Sequence, residues 1–152
     1  MDFGPGASQP EAEPSNHDRI RQARLHGLRI LVVEDSADSA ELIQQILEQA
    51  GAEVEVAETA EEAKGVLRFF SPHLIISDIG LPFQNGIGFI ESVRTSRPKL
   101  PAIAITSFLD SKVKSCALRA GFNLYLCKPI SYMTLIGAVR EVLENFGSPI
   151  QH

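Results

Sequence analysis

The sequence predicts an α/β fold: an open, doubly wound sheet of five parallel strands in the order 2-1-3-4-5, with five helices. Three observations predict it. Short apolar runs alternate with amphipathic segments of helical period from Leu28 onward. The runs Ile30-Leu31-Val32-Val33, Leu74-Ile75-Ile76 and Ala102-Ile103-Ala104-Ile105 are apolar at every position, as strands covered on both faces must be. Three of the runs stop at charged residues: Glu34-Asp35, Asp78 and Lys128. In such a sheet the exits of the strands share one crevice, at the point where the strand order reverses.

Each element has its own justification. The first strand is expected over Leu28–Val33. Ile43, Ile46, Leu47 and Ala50 share one face of a helix over Asp38–Ala50, which Gly51 stops. Glu53–Ala57 alternates polar and apolar, the mark of an edge strand. Thr59 and Glu62 form a capping box for a helix carrying Ala63, Val66, Leu67 and Phe70 inward, ended by Pro72. His73–Ser77 is the third strand, Gly86–Arg97 a helix, and Ala102–Ile105 the fourth strand. Asp110 caps a helix with Val113, Cys116, Ala117 and Ala120 inward, closed by Gly121. Leu124–Cys127 is the fifth strand. Ser131 caps a last helix with Leu135, Val139, Val142 and Phe146 inward. Right-handed crossovers then fix the topology.

Bulk properties narrow the function. A chain of 152 residues with 44% apolar and 22% charged residues suits one globular domain. The net charge of -5 argues against nucleic acid as a direct partner. No run reaches the roughly 18 apolar residues of a membrane span, and no signal-peptide pattern opens the chain, so the expected location is cytoplasmic, without membrane contact. Cys116 and Cys127 lack metal-ligand spacing and read as reduced core residues. Residues 1–27 are expected to form a flexible linker, because Pro, Gly, Ser and Glu dominate their first half. Arg19, Arg21 and Arg24 follow, in a stretch short enough for one helical turn or two. Residues 28–147 form the domain and 148–152 a tail.

The convergent charges set the chemistry. Glu34, Asp35 and Asp78 bring three carboxylates together, a costly arrangement that raises at least one pKa unless a cation is present. Mg2+ favours such oxygens and keeps positions open for water and phosphate. Glu34, the longer side chain, suits binding through a water. Asp78 is either a ligand only or a nucleophile towards phosphorus. Lys128 would offset charge on a transferred phosphoryl group, and Pro129 restricts the loop that carries it. Thr106, at the exit of the fourth strand, offers a hydroxyl to the same group. The structural alternatives are a helix-start acidic pair, a strand-end lysine and a capping threonine. The convergence of all five positions weighs against them.

These residues resemble a family. Val32-Val33-Glu34-Asp35, Asp78-Ile79-Gly80-Leu81-Pro82 with Gly86, Ile105-Thr106 and Lys128-Pro129 stand in the order and spacing of receiver domains of two-component response regulators. The resemblance covers Leu28–Phe146 and is nearest to receivers attached to hybrid histidine kinases. It implies a flavodoxin-like fold and a phosphoacceptor at Asp78. It implies Mg2+ held by Glu34, Asp35, Asp78 and the carbonyl of Gly80. It implies phosphoryl binding by Thr106 and Lys128, and a switch made of Thr106 and Tyr125. Pro82, Gly86 and Pro129 would shape the loops. The implied partner is a histidine kinase or histidine phosphotransfer domain. Three positions depart from the pattern. Ser107 narrows the space beside the phosphoryl group, Phe108 stands where phosphoryl lifetime is tuned, and Ile130 replaces a common Phe. No output domain is expected within these 152 residues. Such a domain catalyses only its own phosphorylation and dephosphorylation. A phosphorylation-independent interaction module is the alternative, against which the intact site argues. A phosphohydrolase with an aspartyl intermediate is disfavoured, because Gly80 stands where a second acid/base carboxylate is needed.

Overall fold

The structure, a computed structural model, describes residues 24–80, 86–107 and 110–146. The expectations for residues 1–23, Pro82, Phe108 and the tail lie outside them. Ten elements alternate: β1 (Arg29–Val33), α1 (Ala37–Gln49), β2 (Glu53–Ala57), α2 (Ala60–Phe70), β3 (Leu74–Asp78), α3 (Gly86–Ser96), β4 (Ala102–Thr106), α4 (Ser111–Ala120), β5 (Leu124–Cys127) and α5 (Tyr132–Asn145). All strands pair in parallel in the order β2-β1-β3-β4-β5. The predicted topology holds, and boundaries move by a residue or two. Asp78 and Thr106 are the last residues of their strands rather than the first beyond them.

Strand alternation divides the core into two layers. Ile30, Val32, Ile76, Ile103 and Ile105 face α1 and α5. Leu31, Val33, Ile75, Ala102 and Ala104 face α2, α3 and α4. Side-chain caps start the helices as read: Ser36 accepts from the Ser39 amide, Thr59 from Glu62, Asp110 from Lys112 and Ser131 from Thr134. The Thr59 box closes differently from the expected pattern. Glu62 Oε1 accepts from the amide of Glu58, not of Thr59, at 2.7 Å. Gly51 and Gly121 take positive φ after α1 and α4, where a Cβ would be strained.

Three expectations about burial need correction. Cys116 is exposed, because the inward stripe of α4 is narrow. Val113, Ala117 and Ala120 fill it, and only Ala117 is fully buried. Phe146 lies past the end of α5 and is half exposed. The packed chain also begins before Leu28. Leu25 is only 1% exposed and belongs to the α1/α5 layer of the core. Its amide donates to Ala50 O at 2.8 Å, and the Arg140 guanidinium reaches Arg24 O at 3.4 Å. The segment before β1 is therefore docked from Arg24 onward, not free to residue 27. Among the described residues, no helix is long and apolar enough to cross a membrane.

Candidate functional site

The site forms where β1, β3, β4 and β5 end. Register explains the convergence. Val33 pairs with Ser77, Asp78 with Ile105 and Thr106 with Cys127, so the residues beside or after these pairs meet at one edge. Carboxylate oxygens of Glu34, Asp35 and Asp78 all lie within 4.8 Å of one another. Lys128 Nζ sits between two of them, 2.7 Å from Glu34 Oε1 and 3.0 Å from Asp78 Oδ2. Thr106 is buried at the end of β4, and the Lys128 amide bonds its carbonyl at 2.8 Å. The Lys128–Pro129 peptide is cis.

Burial decides the electrostatics. The Glu34 side chain is fully buried. Loss of solvent pushes its carboxyl above the ordinary value; Lys128 and the Ser36 amide pull it back, and Asp78 adds to the rise. The Ser36 amide reaches Glu34 Oε2 at 3.1 Å, while buried Oε1 accepts no well-directed hydrogen bond and relies on the charge of Lys128. For Lys128, burial works against the charged form, but Glu34 and Asp78 outweigh it and its pKa rises. Three carboxylates thus share one ammonium. Hard oxygen donors, a buried Glu34 oxygen without a directed bond and excess negative charge all fit a divalent cation.

Asp78 is held at both oxygens. Oδ1 accepts from the Gly80 amide at 2.7 Å, and Oδ2 faces Lys128. Gly86 lies against the backbone of Asp78: a Cβ there would come 2.5 Å from Asp78 O and 2.5 Å from Ile79 Cα. The Gly86 amide closes this turn on Ile79 O at 3.0 Å. Tyr125 is half-buried on β5, packed against the α2/α3/α4 layer. Its phenol is shifted up by burial and by Cys127, against a backbone hydrogen bond from Asp110, the cap of α4. Ser107 is exposed and lines a groove of about 360 Å3 with Lys128, Pro129 and Leu42, while Ile130 is buried in the core.

Three participants were missed by the sequence reading. Ser77 is fully buried and its hydroxyl bonds Asp78 O at 3.0 Å. A lone serine in an apolar strand was the available signal. The amides of Ser36 and Gly80, which bind the carboxylates, carry none, since any residue but proline supplies an amide.

Comparison with known proteins agrees with this geometry. Residues 30–140 match the response regulator receiver domain family. A 14.6 kDa protein of Leptolyngbya boryana is 42% identical over 80% of this chain and 95% of its own length. The virulence transcriptional regulatory protein PhoP of Salmonella typhimurium is 34% identical, and the match spans 53% of it. Hybrid signal transduction histidine kinase D of Dictyostelium discoideum is 26% identical over 83% of this chain and 9% of the kinase. Among solved structures, a CheY-like receiver domain protein from Methanospirillum hungatei superimposes with TM-score 0.73 at 32% identity, over 77% of this chain and 94% of that one. The chain belongs to the response regulator receiver domain family, and it is a receiver domain of two-component signalling.

Proposed function

We propose that Asp78 is the phosphoacceptor of this receiver and that the domain takes its phosphoryl group from a phosphohistidine on a histidine kinase or phosphotransfer domain. One observation carries the reading: the Asp78 carboxylate is fixed by Gly80 at one oxygen and faces Lys128 at 3.0 Å with the other, beside two further carboxylates. An Asp78 oxygen attacks phosphorus in line with the P–N bond. The new O–P bond forms as the P–N bond breaks, and the imidazole nitrogen leaves with the electron pair. Lys128 offsets charge on the phosphoryl oxygens, and the Gly80 amide holds the attacking carboxylate in place. Glu34, Asp35, Asp78 and the carbonyl of Gly80 would hold Mg2+, which when bound neutralises the crowded negative charge. The domain catalyses only its own phosphorylation and later dephosphorylation, so it is a switch more than an enzyme. A cytoplasmic location belongs to the same reading.

The switch runs through Thr106 and Tyr125. Thr106 binds the phosphoryl group, Tyr125 turns, and the surface of α4, β5 and α5 changes. The backbone bond between Asp110 and the Tyr125 phenol supports this, because it ties the start of α4 to the residue that moves. Gly86 and Pro129 shape the loops around the site. Beryllofluoride, a phosphoryl mimic, tests the reading. It should move amide NMR signals over Val113–Ala120 and Leu124–Cys127 in the wild type. In Thr106→Ala it should move mainly those near Asp78. Full shifts in the variant would refute the role of Thr106, and no shifts in the wild type would refute the switch.

A further inference from the structure

One guanidinium joins the ends of two helices. Arg94 stands in the last turn of α3, and its Nη1 donates to Arg97 O, just past that helix, at 2.9 Å. Its Nε and Nη2 donate together to Gly121 O, at the cap of α4, at 3.0 and 2.7 Å. The last carbonyls of a helix have no partner inside it, and the dipole there favours a cation. Arg94 meets both needs in α3 and in α4. Burial pulls its pKa below the ordinary value, and these acceptors are all neutral. A planar fork lets one side chain hold two carbonyls in fixed directions, which a lysine ammonium cannot do. The stem packs as closely as the head: a Cβ on Gly121, at φ +134°, would lie 2.7 Å from Arg94 Cγ.

This joint lies at the end of the sheet opposite Asp78. Asn123 exchanges two bonds with Ala102, the first residue of β4: its amide donates to Ala102 O at 2.8 Å, and its Oδ1 accepts from the Ala102 amide at 2.8 Å. The same Oδ1 lies 3.5 Å from Arg94 Nη2. The other end of α3 starts at Gly86, against Asp78, about 12 Å away along the helix. α3 is thus fixed at both ends, and α4 at one. Towards the end of α4, Ala117 and Phe122 are buried, and the amides of Gly121 and Phe122 close the last turn on Leu118 O and Ala117 O. In its first half, residues 111–115, Val113 is partly buried and the others are exposed. Anchoring therefore weakens along the helix from Gly121 back to Ser111.

We infer that Arg94 is the pivot of the switched helix: it pins the C-terminal end of α4 to α3 and to the start of β4, so that a phosphoryl group on Asp78 swings the start of α4 while its end stays in place. This rests on the reading of α4 as part of the switched surface and adds how that helix moves. Arg94 is then a positioning residue, without contact to the reacting atoms. In the wild type, amide shifts caused by beryllofluoride with Mg2+ should fall steadily from Ser111 to Ala120. Hydrogen exchange within α4 should be slowest at its C-terminal end and untouched there by the mimic. Arg94→Met keeps the stem and removes the fork. It should speed exchange at residues 117–122 about tenfold, the scale of a hydrogen bond to a charged group, and spread the beryllofluoride shifts evenly along α4. Arg94→Lys, which restores the charge and one donor direction, should recover part of the gradient. Labelling of Asp78 by acetyl phosphate should keep its rate in both variants. Absent shifts in the wild type would sink the switch itself. Normal shifts of equal size along wild-type α4 would overturn the pivot alone. So would a gradient that survives Arg94→Met, whatever the loss in melting temperature, because Arg94 would then only stabilise the fold.

Discussion

Gly86 is pressed against Asp78. The first residue of α3 approaches the last residue of β3 so closely that any Cβ would come 2.5 Å from its carbonyl oxygen. The obstacle is backbone, which cannot swing aside as a flexible side chain can. Gly86→Ala should therefore cost about 1–3 kcal/mol, the usual range for overpacking. It should also shift Asp78 and slow its labelling by acetyl phosphate. Urea unfolding and labelling rates check the two effects; a variant as stable and as fast as wild type would show that the approach is not tight.

The docked N-terminal turn makes a second prediction. A chain starting at Arg24 should keep the stability of the full protein. One starting at Leu28 loses Leu25 and its bond to Ala50 and should be less stable. Leu25→Ala isolates the side chain and should cost about 2–5 kcal/mol. Equal melting temperatures for the two truncations would contradict the docking.

His73 gives a pH dependence. Its Nδ1 accepts the Arg29 amide at 3.0 Å, so the folded state needs the neutral ring. Burial lowers its pKa from the ordinary 6.5, and the nearby Arg29 lowers it further. A depressed histidine is protonated more readily in the unfolded chain. Its contribution is thus full above pH 6.5 and lost as pH falls through the lower folded value. His73→Gln should flatten the fall in stability below that pH, measured by urea unfolding across pH 5 to 7.5 (about the histidine range). An unchanged profile would remove His73 from the account.

The acidic pair should trade stability for metal binding. The Glu34 carboxyl is shifted up, so its ionised form is the strained one near neutral pH. Glu34→Gln with Asp35→Asn should stabilise the metal-free fold at pH 7, and the gain should shrink in acid, where Glu34 is protonated in both states. The same change should abolish Mg2+-dependent labelling. A less stable double variant would mean that the Glu34–Lys128 pair contributes more than the charge crowding costs.

The sequence showed most of the sheet because its strands are apolar throughout and its helices start at Ser36, Thr59, Asp110 and Ser131, side chains that cap. It showed the charged site because strand exits must meet in this topology. It misjudged Cys116 and Phe146, since helical period alone does not tell how wide the buried stripe is or where a helix stops packing. It missed Leu25 because one apolar residue among arginines carries no periodic signal, and its burial depends on a gap between α1 and α5 that only the assembled fold provides.

The most direct test of the central claim is the intact mass of the protein after incubation with acetyl phosphate and Mg2+, followed by mapping of the modified residue. One phosphoryl group should appear, on Asp78, and neither Asp78→Asn nor protein stripped of divalent cation should gain it. Full labelling of Asp78→Asn, or a phosphoryl group mapped to any other residue of the wild type, would contradict the account.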